Sequence, residues 1–167
     1  KTLRFIKRDL EKRLRAVGWK DGIPEGWQFL HIDTPTIADG QELNDIVAPL
    51  NNDEYLGLVG DGVTFRDVMN QLDATPNLAW DLVNWRIDPA DLNVPIGVGA
   101  GQFRAVGRTV AMVYGRQIRN RIRNSFDRIS SPGSYAELGE LYQGVTGNPA
   151  AAATPSPHVI VVSSLAG

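Results

Sequence analysis

The sequence predicts an α/β fold in which a parallel sheet is covered by helices on both faces. Three observations carry this. Helix-like and strand-like patterns alternate along the chain, as they do when strands are joined by helical crossovers. Two apolar runs, Trp27–Asp33 and His158–Val162, have the length and composition of buried strands. A run of spaced glycines, Gly97-Val98-Gly99-Ala100-Gly101-Gln102, stands directly before a long helical pattern.

In chain order, Leu3, Ile6, Leu10, Leu14 and Val17 recur at helical spacing with Lys and Arg between them. Thr2 is placed to cap this helix and Gly18 to stop it. The strand Trp27–Asp33 is expected to turn through Asp33-Thr34-Pro35-Thr36. Residues 36–95 form an insertion with short helices. One is marked by Phe65, Val68, Met69 and Leu72, and a second by Leu78, Trp80 and Val83, with Pro76, Pro89 and Pro95 as punctuation. Trp80 and Trp85 are expected to pack this insertion onto the sheet. Val94-Pro95-Ile96 reads as a short strand entering the glycine run.

From Ala105 to Ile129 the pattern Val106, Val110, Val113, Ile118, Ile122, Phe126, Ile129 predicts one helix of about seven turns. Ser130–Ser134 ends it, and Tyr135–Tyr142 suggests a shorter helix. Residues 144–157, with Pro-Ala-Ala-Ala-Ala-Thr-Pro-Ser-Pro, read as a flexible connector before the last strand. No internal repeat is visible.

The chain has 167 residues, a net charge of −2 and no cysteine. That length suits a single domain with a real core. The charge gives no electrostatic case for nucleic acid or membrane. Absent cysteine removes disulfides and thiolate metal sites and leans toward a reducing, cytoplasmic setting. No apolar run approaches the roughly 18 residues of a membrane span. The sequence lacks an initiator Met and ends in an apolar strand closing on Gly167. It therefore reads as a truncated domain, residues 1–167, incomplete at both ends.

The glycine run is the strongest chemical signal. Alternating glycines let backbone approach a ligand that side chains would block. A helix starting behind them offers unpaired N–H groups and the positive end of its dipole, which together cradle phosphate. A glycine-rich turn without a ligand is the competing explanation. G-x-x-x-x-G-K-[ST] is absent, and G-x-G-x-x-G fails because its last glycine would fall on Gln102 or Arg104.

The stretch Gly97–Arg108 resembles the third phosphate loop of the tubulin/FtsZ superfamily, a Gly-Ala-Gly core followed by a glycine near the start of a long helix. Gly107-Arg108 matches the Gly-Arg of FtsZ-like members. Phe29–Thr34 resembles the second strand and its loop. Val159–Gly167 resembles the strand leading into the glycine-rich signature of the superfamily. The similarity is nearest to the bacterial tubulin-like group. It departs at Pro35, where FtsZ-like members carry an acidic residue, and in the longer link from Asp33 to Gly97.

The resemblance implies a three-layer, Rossmann-like sheet of the tubulin/FtsZ nucleotide-binding type. It implies binding of GTP or GDP with Mg²⁺ accompanying the phosphates. Gly97, Gly99, Ala100, Gly101 and Gln102 would face the terminal phosphate, with Asp33 and Thr34 on the neighbouring rim. Arg104 and Arg108 are near enough in sequence to meet phosphate, and Gly167 stands at the threshold of the signature loop. The family completes hydrolysis across a contact between subunits. Self-association of the parent is therefore implied, and this segment alone is expected to be inactive. It carries no catalytic residue and no protein-held metal.

Two other functions remain open on the sequence. One is a nucleotide-dependent scaffold that does not hydrolyse. The other is an α/β interaction module using the arginine-rich helix, where Arg104, Arg108, Arg116, Arg119, Arg121, Arg123 and Arg128 face a single acid, Asp127. Because those arginines fall on two sides of the helix, a solvated face is favoured over a nucleic-acid contact. His31 and His158 are expected to be ordinary strand residues. No His-Glu-x-x-His or G-x-S-x-G pattern supports zinc or serine chemistry.

Overall fold

A computed structural model describes residues 1–38, 46–81, 83–88, 95–96, 104–149 and 156–163. The elements in order are α1 (Thr2–Ala16), β1 (His31–Pro35), β2 (Tyr55–Val59), α2 (Phe65–Asp73), α3 (Pro76–Asp81), a 3-10 turn (Val83–Trp85), α4 (Arg104–Val113), α5 (Gly115–Ile129) and α6 (Pro132–Thr146). The architecture is mixed α/β. Among the described residues the sheet has two strands, β1 and β2, running parallel.

The described residues divide into two compact units. The first holds Lys1–His31 and residues 46–54, 122–149 and 156–161. The second holds residues 32–38, 55–81, 83–88, 95–96, 104–121 and 162–163.

In the first unit, α1 follows its predicted spacing. Thr2 is helical rather than capping: the carbonyl of Lys1 accepts from the N–H groups of Arg4 and Phe5, so Lys1 is the N-cap. The stop at Gly18 is physical. With φ at +87°, a conformation only glycine adopts freely, it lets its own N–H reach Arg15 and the Trp19 N–H reach Leu14. At the other end of the unit, Ser131 caps α6 by accepting from the Ser134 N–H at 3.1 Å. This helix reaches Thr146, past Tyr142 and into the stretch that reads as connector, and closes on Gly147 in the left-handed region. A groove of about 430 Å³ between α1 and α6 is lined by Leu10, Leu14, Val17, Leu138, Leu141 and Val145.

In the second unit, the core is Leu58, Val59, Phe65, Val68, Met69, Leu72, Ile96, Val106 and Val110. It is built from β2, α2 and α4: α2 packs on α4 and α3, and α4 packs on β2. The helix marked by Phe65, Val68, Met69 and Leu72 forms as expected and buries all four. Its start is set by a reciprocal cap, in which Thr64 accepts from the Asp67 N–H and Asp67 accepts from the Thr64 N–H. Pro95 makes an isolated antiparallel bridge to Thr64, while Val94 lies outside the described residues.

Four expectations need correction. The first strand is His31–Pro35, not Trp27–Asp33. Its ladder begins only where a partner exists, with the His31 N–H donating to the Glu54 carbonyl at 2.8 Å, so Asp33 and Thr34 lie within a strand and the bend starts at Thr36. The long helix is two helices interrupted at Tyr114. There the Gln117 N–H bonds back three residues to Tyr114, tightening the turn beside Gly115, a weak helix former.

The run His158–Val162 is not a buried strand. It has no strand partner among the described residues, and Ile160 is 87% exposed. An apolar run specifies burial, but a strand needs a neighbouring edge to bond with. Finally, Trp80 is 78% exposed rather than packed on the sheet. Helix α3 fully buries none of its residues, and Leu78 and Ala79 are the ones packed against the core. The Trp85 side chain lies outside what is described.

Candidate functional site

The second unit contains the described part of the predicted site. Asp33 and Thr34 sit late in β1. The Asp33 carboxylate accepts from the Thr34 backbone N–H at 2.7 Å, an Asx-type contact that holds the peptide between them. The Thr34 side chain is only 7% exposed. Its hydroxyl oxygen is buried and has no hydrogen-bond partner among the described residues. Such a group is uncommon in a folded protein and costs stability unless something satisfies it.

The segment after Thr34 is held from β2. The Tyr55 hydroxyl donates to the Pro35 carbonyl at 2.7 Å and approaches the Ile37 carbonyl at 3.3 Å. The Thr36 hydroxyl reaches Asp61 at 3.4 Å. Gly57 lies so close to Pro35 and Thr36 that a Cβ there would strike their backbone atoms. Sequence reasoning missed Tyr55, Gly57 and Asp61. The signal was present: Tyr55-Leu-Gly-Leu-Val59 is a short apolar run with one internal glycine, the mark of a strand with a close backbone neighbour.

Arg104 and Arg108 are on the first two turns of α4, one helical turn apart and exposed. Both make electrostatic or hydrogen-bond contacts within the structure. The opposite face, Val106, Thr109 and Val110, is buried. Thr109 satisfies its hydroxyl on the Ala105 carbonyl at 2.8 Å. The start of α4 is thus fixed to β2 through the core, and its first turn carries no acidic residue. A positive dipole end with no acid in its own first turn is the electrostatic setting an anion needs.

Gly97, Gly99, Ala100, Gly101 and Gln102 lie outside the described residues, as does Gly167. Among the described residues, no three His, Cys, Asp or Glu side chains come together as a metal cluster. No helix there is long and apolar enough to cross a membrane. Of the two histidines, His31 opens β1 as expected, whereas His158 lies in irregular chain.

No curated protein and no solved structure matches this sequence. A family model does: the one described as Tubulin like matches residues 1–167, its whole length, and the chain belongs to that tubulin-like family.

Proposed function

We propose that the chain is the guanine-nucleotide-binding segment of a self-associating, tubulin-like GTPase. The observation that carries this reading is the buried, unpartnered hydroxyl of Thr34, beside the Asp33 carboxylate on the rim assigned to nucleotide. A phosphate or ribose oxygen is the kind of group that would satisfy it. Family membership supports GTP and GDP as ligands, with Mg²⁺ bound alongside the phosphates.

In this reading Gly97, Gly99, Ala100, Gly101 and Gln102 present backbone N–H groups to phosphate at the start of α4. Arg104 and Arg108 add positive charge there, and Gly167 leads toward a further phosphate loop. The fold of this reading is the three-layer, Rossmann-like sheet of the tubulin/FtsZ nucleotide-binding type. The nucleotide supplies the bond to be hydrolysed. The residues of this chain bind and orient it, and hydrolysis is completed by a neighbouring subunit in the cytoplasm.

The test is nucleotide binding by the full-length protein and by a Gly99→Val, Gly101→Val variant. GTP binding in preference to ATP, lost in the folded variant, is the expected result. The valines block backbone approach without touching the base. No nucleotide binding by the folded full-length protein would overturn the reading.

A further inference from the structure

Helix α5 carries an arginine row that the nucleotide reading does not use. Arg116, Arg119 and Arg123 stand at i, i+3 and i+7 of one continuous helix, so they share a face over about two turns. All three are exposed. Among the described residues none of the three has a hydrogen-bond or ion-pair partner. Other arginines do: Arg4 bonds to backbone carbonyls, and Arg13, Arg86 and Arg128 pair with Asp9, Asp73 and Asp53.

Helix stability does not account for the row. Like charges three and four residues apart repel. The single acid nearby, Asp127, follows Arg123 by four residues, the less favourable order for a helical pair. Beside the row the helix also exposes Ile122 and Phe126. The chain as a whole is negative, at −2, so this face is a local reversal of its charge.

We infer that this face of α5 docks an acidic polypeptide segment carrying apolar side chains between its carboxylates. Each guanidinium offers a planar fork that matches a carboxylate with two parallel hydrogen bonds. Ile122 and Phe126 give the apolar side chains of such a segment something to cover. A nucleic-acid backbone fits less well. It would leave the exposed apolar pair Ile122 and Phe126 unused. The inference stands on α5 alone and is independent of nucleotide binding.

The experiment measures anisotropy of a fluorescein-labelled peptide of repeated Glu-Glu-Leu on the full-length protein, at low and at physiological salt. Binding that weakens as salt rises is expected. An Arg116→Gln, Arg119→Gln, Arg123→Gln variant should bind at least about tenfold more weakly. The corresponding triple Lys variant should fall between, because lysine keeps the charge and loses the fork. Arg15→Gln with Arg66→Gln, two exposed arginines elsewhere, should bind like the parent. Circular dichroism confirms that each variant is folded, and the single Arg119→Gln change repeats the test with the least perturbation. Absence of binding by the parent overturns the inference, as does an unchanged triple Gln variant. Equal loss in the Arg15, Arg66 control would show unspecific charge attraction, and tighter binding of duplex DNA than of the peptide would show a nucleic-acid face; either result also overturns it.

Discussion

Arg4 on α1 donates from its guanidinium Nε to the backbone carbonyl of Ala48 at 3.0 Å. A second nitrogen of the same fork donates to the carbonyl of Val47. Arg4 is only 2% exposed, so a residue that the helical pattern assigns to solvent is among the most buried in the chain. It ties residues 47 and 48 to α1. Replacing it with Met should cost about 2–4 kcal/mol, because two carbonyls lose a charged donor in a place that water reaches poorly. Lys should recover only part, having no fork. Urea unfolding measures this. A loss under about 1 kcal/mol would mean that water replaces the arginine.

Gly57→Ala should destabilise the β1–β2 pair. The added methyl would meet the Pro35 carbonyl and the Thr36 Cα, both backbone and unable to swing aside. A cost of about 1–3 kcal/mol is expected. It should appear as a lower melting temperature and as faster exchange of the His31 amide, which bonds to the Glu54 carbonyl at the start of the pair. Unchanged exchange there would show that the strand pair absorbs the methyl.

Thr34 separates stability from binding. Thr34→Val keeps the shape and removes the buried, unpartnered hydroxyl. Stability should hold or rise by about 1 kcal/mol, while GTP affinity falls. Thr34→Ser, which keeps the oxygen, should retain binding. Calorimetric titration of the two variants decides it. Equal GTP affinity in both would remove Thr34 from the nucleotide site.

The cap of α2 predicts an acid-sensitive helix start. Hydrogen bonds from the Thr64 backbone and hydroxyl, with the nearby Arg66 charge, hold the Asp67 carboxyl below its ordinary value. A depressed folded value means that the carboxylate stabilises the fold at neutral pH and down to its ordinary value. That contribution is lost as pH falls further, through the lower folded value. Thr64→Ala should cost about 1 kcal/mol at neutral pH. Asp67→Asn should remove the acid dependence of the α2 amides in an exchange experiment. Persistence of that dependence in Asp67→Asn would assign it to another carboxylate.

Several elements were legible because local rules decide them. Helix α1 follows from the spacing of Leu3, Ile6, Leu10 and Leu14, and its end follows from Gly18, where only glycine takes the required backbone freely. Helix α2 follows from four apolar residues at helical spacing. The two strand readings failed because strands depend on partners far along the chain. The first strand begins at His31 because Glu54 is opposite it, and no window around residue 31 contains residue 54.

From its sequence alone the chain declares helices α1 and α2, the run of spaced glycines before α4 and the resemblance that marks its family. These rest on periodicity, backbone sterics and motif spacing, all short-range in sequence. Only the tertiary structure decides which side chains are buried and which are left outside. It buries Arg4 and the Thr34 hydroxyl, and leaves Trp80 and Ile160 in water. Burial depends on whether a distant segment supplies a matching surface. Hydrophobicity states a preference for that surface, and the path of the chain determines whether it is met.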